Sequence, residues 1–144
     1  MPSWSAPARR FLEAHRVGHL ATAGADGEPH VIPVCYALDD EALYFVADEK
    51  PKRRPPRELR RLRNLGENPY AALVVDDYDD DWSRLAYLLV RGPAAIVPAA
   101  VHGPALVRLR ARYPQYVAMT LDDPERNPIV RLEPVRVTFW HAAR

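Results

Sequence analysis

The sequence predicts a mainly β, α+β domain: six antiparallel strands forming a small barrel, with three short helices beside it. Three observations predict this class. Runs of apolar and β-forming residues recur six times, and the first three are joined by turns too short for parallel crossovers. Helical spacing is confined to three short windows. The 15 prolines are scattered along the chain, so they mark element boundaries and form no disordered tract.

Ser5 is placed to cap a first helix, with Pro7 in its first turn. Phe11, Leu12 and His15 recur at helical spacing, and Gly18 closes the segment. A strand follows at 19–23, then a Gly24–Gly27 turn with glycines where positive φ is tolerated. Residues 29–38 read as the second strand and 42–47 as the third, an antiparallel meander turning at Asp39, Asp40 and Glu41. Residues 58–65 form a short helix with Leu59 and Leu62 inward, ended by Gly66 and Pro69. The fourth strand, 70–75, runs into an acidic turn at 76–82. Residues 85–97 form a long strand, bent or bulged near Gly92 and Pro93. Residues 99–113 return to helical spacing, and Gly103-Pro104 should split that helix or delay its start. The last strand, 129–140, alternates Val130, Leu132, Val135, Val137 and Phe139 against polar residues, giving one buried face.

The 144 residues fit a single domain spanning 1–144. Apolar residues make up 48% and charged residues 27%, ordinary globular values that argue against disorder. A net charge of +1 argues against a nucleic-acid coat or a wholly electrostatic membrane binder. No apolar run is long enough to span a bilayer, and charge interrupts the N-terminal region where a signal peptide's core would lie. Cys35 has no internal disulfide partner, which suits a reducing cytosol. The expectation is a soluble, cytoplasmic protein acting on a small molecule, with no nucleic-acid or membrane partner.

No dinucleotide fingerprint, P-loop, zinc-protease helix or nucleophile elbow occurs, and the five histidines have no metal spacing. No catalytic residue and no metal ligand is assigned. An enzyme without such a signature is explained by a bound cofactor that carries the chemistry. Residues 50–63 hold eight of the 20 cations in 14 positions, including both lysines, Lys50 and Lys52. Lysine offers a phosphate a point charge and arginine a bidentate fork, so this stretch reads as an anion pocket or, more plainly, a solvated cationic face. The five aspartates within 76–81 lack the glycine and glutamate of a calcium loop and read as a solvated turn. Trp82 beside them is either a rim aromatic for a planar ligand or a core or interface residue. Pro33 interrupts an otherwise good strand, which places that strand at an edge, at a bulge, or against a ligand. Cys35 reads as a small buried hydrophobe.

Three local marks, in order, carry a resemblance. They are L-A-T-x-x-x-D-G-x-P-H at 20–30, R-L-R-N-L at 61–65 with N-P at 68–69, and D-x-x-W-S at 79–83. Over residues 8 to 140 the chain resembles the pyridoxamine 5′-phosphate oxidase-like split-barrel family, and within it the branch of F420-dependent oxidoreductases. The resemblance implies a six-stranded split barrel, dimeric with itself, that binds a deazaflavin (coenzyme F420) or a flavin (FMN) at the subunit interface. It implies that the ring lies along Val31, Ile32, Pro33, Val34 and Cys35. The phosphate would be held by Lys50, Lys52, Arg53, Arg61 and Asn64, with Ala47 and Asp48 at the entry. Trp82 and Ser83 would approach the cofactor, often from the other subunit. The chain departs from the pattern by a longer linker at 54–58 containing Pro55-Pro56. The implied activity is hydride transfer between reduced F420 and a small organic acceptor. The alternatives are an FMN-binding pyridoxamine 5′-phosphate oxidase-like oxidoreductase, or a non-catalytic carrier of flavin, F420 or haem.

Overall fold

The fold comes from a computed structural model that describes residues 3–47 and 59–142. Helix α1 (Ala6–Ala14) starts as its sequence dictates: the Ser5 side chain accepts the Ala8 N–H at 3.2 Å. Its end differs from expectation. The helix stops at Ala14, and Gly18 lies inside strand β1 (Val17–Ala23). Gly18 serves packing, not capping: a Cβ there would lie 2.9 Å from the Leu73 side chain, which fills that space.

Strand β2 (Pro29–Cys35) pairs antiparallel with β1 across the expected turn, where Gly27 has φ +75° and donates its N–H to Gly24 O at 3.0 Å. The chain then leaves the ladder at Tyr36. That residue gives its N–H to the Tyr113 hydroxyl (2.9 Å) and its own hydroxyl to Leu12 O (2.6 Å). Strand β3 (Ala37–Leu38) pairs with β4 (Leu43–Val46), and β4 pairs with β7 (Ile129–Leu132), not with β2. The expected three-strand meander is therefore corrected to the order β2-β1-β5-β6-β7-β4-β3, with β5 at Tyr70–Asp77 and β6 at Ala86–Ile96; β8 (Arg136–His141) pairs with β6 off this path.

The same kind of interruption turns six expected strands into eight. The 29–38 strand divides at Tyr36, and the 129–140 strand divides at 133–135. There Leu132 faces Ala94 and Arg136 faces Arg91, so three residues span two of β6, a bulge. The irregularity expected at Gly92-Pro93 thus sits in the partner strand, while β6 runs unbroken. Gly92 permits it, because a Cβ would overlap the Glu133 carbonyl oxygen.

Helix α2 (Arg60–Glu67) closes one side of the barrel with Leu62 and Leu65 buried. Helix α3 (Ala99–Arg112) is one piece, so the break expected at Gly103-Pro104 is absent. Pro104 removes one intrahelical hydrogen bond, but burial of Ala105, Leu106 and Leu109 against Tyr44, Val46 and Ile129 holds the helix together. Every residue of β4 is buried, because Leu43 and Phe45 face the barrel core and Tyr44 and Val46 face α3. The curled antiparallel sheet is a split barrel. Among the described residues, no helix is long and apolar enough to cross a membrane.

Candidate functional site

Among the described residues, nothing forms a layer over the outer face of β2-β1-β5-β6-β8. Cross-strand register sets Pro33, His19, Val74, Leu89 and Thr138 in one row across the sheet. Tyr87 and Trp140 stack in the next row, with ring centroids 5.7 Å apart. Strand β2 is the edge strand, which accounts for Pro33, since a proline cannot donate to a further strand. Alternation divides the five residues expected along the cofactor ring. Val31 and Pro33 face outward, Val31 being 61% exposed; Cys35 is half-buried against the cluster that α3 forms with β4, while Ile32 and Val34 pack toward the barrel core.

Of the residues expected at the phosphate, Asp48, Lys50, Lys52 and Arg53 lie outside the described residues. Ala47 is buried, with its N–H on Pro128 O (3.0 Å) and its carbonyl accepting Asn127 Nδ2 (3.1 Å). Asn64 is 1% exposed and gives Nδ2 to Thr22 Oγ1 at 3.1 Å, so its amide ties α2 to β1 from within. Glu67 completes that clasp by accepting the Ala25 N–H at 2.9 Å. Arg61 and Arg63 lie along α2 near this clasp. Arg60 is occupied by Glu28 (3.3 Å) and Asp26 (3.6 Å) on the β1–β2 turn, so not every cation of the basic stretch is free for a ligand.

Trp82 and Ser83 belong to a 3₁₀ turn, Trp82–Arg84, between β5 and β6. Trp82 is 69% exposed. Asp81 caps the turn, accepting Ser83 N–H (3.1 Å) and Ser83 Oγ–H (2.8 Å), and those bonds hold its carboxyl below the usual range. Asp76 and Asp77 end β5 and the rest of the acidic run forms the turn; His15 Nε2 lies 2.5 Å from Asp77 Oδ1, joining α1 to the end of β5. The register puts this turn at the same end of the sheet as Cys35, so the apolar strand face and the exposed indole share one end. A cavity of about 500 Å³ lies there between Phe11, Ser83, Phe139 and His141. Among the described residues, no group of three or more His, Cys, Asp or Glu side chains could hold a metal.

A flat apolar strand face beside a cationic helix suits a planar ring with an anionic tail, so the described residues fit a flavin or deazaflavin. A second cavity of about 500 Å³, also at the Cys35 end of β2, was not expected from the sequence; Arg16, Cys35, Arg112, Tyr113 and Tyr116 border it. Arginines just past α1 and at the end of α3 were visible as favourable charges at helix C-termini, but nothing local shows that the two ends meet.

This fold defines a split-barrel protein with one sheet face open among the described residues. The chain belongs to the pyridoxamine 5′-phosphate oxidase family, whose model matches residues 6–141. It is 29% identical over 135 residues to a 5a,11a-dehydrotetracycline/5a,11a-dehydrooxytetracycline reductase of Streptomyces rimosus, spanning 90% of this chain and 78% of that one. A solved F420 reductase is 29% identical, covers 90% of this chain and 94% of its own, and superposes with a TM-score of 0.67. A haem storage protein of Vibrio cholerae, HutZ, shares the fold at 17% identity, with a TM-score of 0.73 and coverage of 92% and 90%.

Proposed function

We propose that this protein is an F420-dependent oxidoreductase, working as a homodimer and passing a hydride between the reduced deazaflavin and a small organic acceptor. The observation that carries this reading is the shared identity with two reductases, one of them an F420 reductase, along nearly the whole chain. When bound, the deazaflavin supplies the hydride. The protein's part is to hold, orient and dry. Val31 and Pro33 offer the ring a flat apolar wall along the edge of the sheet. Arg61, with Lys50, Lys52 and Arg53, draws the phosphate and the carboxylates of the tail. Asn64 acts indirectly, fixing α2 against Thr22 so that Arg61 keeps its place. Trp82 and Ser83, carried on an exposed turn, would close over the ring from the second copy and exclude water.

The second copy is supported by the uncovered face itself, whose apolar area has no partner among the described residues. It is supported also by Arg91, whose buried Nε has no hydrogen-bond partner among the described residues and which faces Arg136 across the ladder. Like charges in register are unfavourable unless an acceptor meets them.

Fluorescence titration of F420 and FMN at low and high salt tests the cofactor. F420 should bind more tightly than FMN and weaken as salt rises, because exposed ion pairs to its tail contribute only about 0–1 kcal/mol each and are screened. Protein that purifies yellow with FMN, or binds FMN more tightly, overturns the choice. Turnover of reduced F420 with candidate unsaturated acceptors then separates an enzyme from a carrier.

A further inference from the structure

Two helices end against each other beside β2, and each brings an arginine. Arg112, the last residue of α3, donates from Nη1 to Glu13 O (3.3 Å) and from Nη2 to His15 O, the carbonyls that α1 leaves unsatisfied at its end. Its guanidinium lies 5.0 Å from the centroid of the Tyr36 ring and 5.4 Å from that of Tyr113. Arg16 donates from Nη1 to Arg112 O at 2.6 Å. The Tyr113 hydroxyl braces the cluster, accepting the Tyr36 N–H while lying 2.7 Å from the carbonyls of both Arg16 and Tyr36. Burial pushes the Tyr36 hydroxyl well above its usual range, against the pull of Arg112, so this aromatic wall stays neutral.

The charge at this junction does not cancel. Each helix C-terminus contributes roughly half a negative charge, about one in all, against two guanidiniums. Among the described residues, neither arginine has a carboxylate within ion-pair distance. Donors are left over as well, because a guanidinium has about five N–H groups and Arg16 spends one of its own on a described partner. The cavity of about 500 Å³ that opens here is bordered by these two arginines with Cys35, Tyr113, Gln115 and Tyr116, and among the described residues no acidic side chain lines it. That volume falls in the range of small-molecule sites.

We infer that this cavity binds the monoanionic head of a small, flat organic acid, held by Arg16 and Arg112 against the tyrosine wall. One surplus positive charge matches one carboxylate or enolate oxygen. Cys35 is both the end of β2 and a wall of the cavity. If β2 carries the cofactor ring, the bound acid is the hydride acceptor; that assignment rests on the F420 reading, whereas the anion site does not.

The test uses the chain without cofactor. Benzoate, followed by NMR of the arginine Nε–H groups, should bind saturably and shift the signals of Arg16 and Arg112. Benzamide, equal in shape but neutral, should bind about tenfold more weakly, since charge-assisted hydrogen bonds are worth that much. Arg16→Gln should weaken benzoate by a similar factor, and Arg16→Lys should restore most of it. Equal binding of benzoate and benzamide, or an unchanged affinity in folded Arg16→Gln, overturns the site. Should Arg16→Gln fail to fold, the benzoate–benzamide ratio and the Arg112 shift in the unaltered chain decide. F420 titrated into Arg16→Gln should bind as before; a parallel loss would mean that the arginine serves the cofactor and would also overturn the proposal. Benzoate binding without any F420 binding leaves the anion site standing and removes the F420 reading.

Discussion

Two parts of one sheet differ in how completely the chain covers them. On β4 every residue is buried, four in a row, because the barrel core lies on one side and α3 on the other. On β8 five of six residues are exposed, including a tryptophan with 45% of its surface open. Both are antiparallel strands, and their sequences already differ: β4 (LYFV) is apolar throughout, whereas β8 (RVTFWH) mixes polar and apolar residues. They differ also in a second layer: α3 supplies one for β3, β4 and β7, and the described residues offer none for the outer face of β2, β1, β5, β6 and β8. The proposed dimer and the proposed cofactor site both fall on that uncovered surface.

Leu89→Asp tests the uncovered side with the largest expected effect. A carboxylate in the middle of that face should turn a dimer of twice 16.3 kDa into single chains by light scattering, with the monomer still folded by circular dichroism. A single-chain mass for the unaltered protein would break the comparison at its root. On the covered side, Leu109→Ala should leave the assembly intact and cost about 2–5 kcal/mol in urea unfolding, the price of a cavity under α3. Gly92→Ala touches the seam where β7 and β8 divide. Its methyl must displace the Glu133 carbonyl, so a loss of about 1–3 kcal/mol is expected, and an unchanged melting temperature would show that the bulge is slack.

The smallest effect sharpens the covered side. Burial pushes the Asp39 carboxyl up, but N–H groups of Glu41 and Ala42 (2.8 Å each) and the Tyr44 hydroxyl (2.9 Å) outweigh it and hold the group below its usual range. A carboxyl whose folded pKa is depressed stabilises the fold above its unfolded pKa, and that contribution is lost as pH falls through the folded value. Acid titration of stability should therefore show a falling limb below about pH 4 that Asp39→Asn flattens, at a cost of about 1 kcal/mol near neutrality.

Local rules carried the reading a long way. The Ser5 cap, the Gly27 turn, the edge position of Pro33 and the helical window at 99–113 follow from side-chain chemistry and backbone sterics within a few residues. They failed where a distant group intervened. Tyr36 leaves its strand for a hydroxyl 77 residues away, and the last strand bulges to pass Gly92. The resemblance set Asn64 beside the phosphate, and folding ties its amide to Thr22 inside the protein. At the arginine junction, Arg16 and Arg112 each had an unremarkable place near a helix end, and only folding brought them together.

The sequence by itself determined the mainly β class, the order of its elements and the alternating faces of each strand. These depend on period-two and helical patterns that any short window contains. Tertiary structure alone decided which strands pair, where two of them break, which sheet face the described residues leave open, and that two arginines 96 positions apart share one cavity. Pairing and cover are contacts between segments far apart in the chain, and no local pattern of side chains encodes which segments will meet.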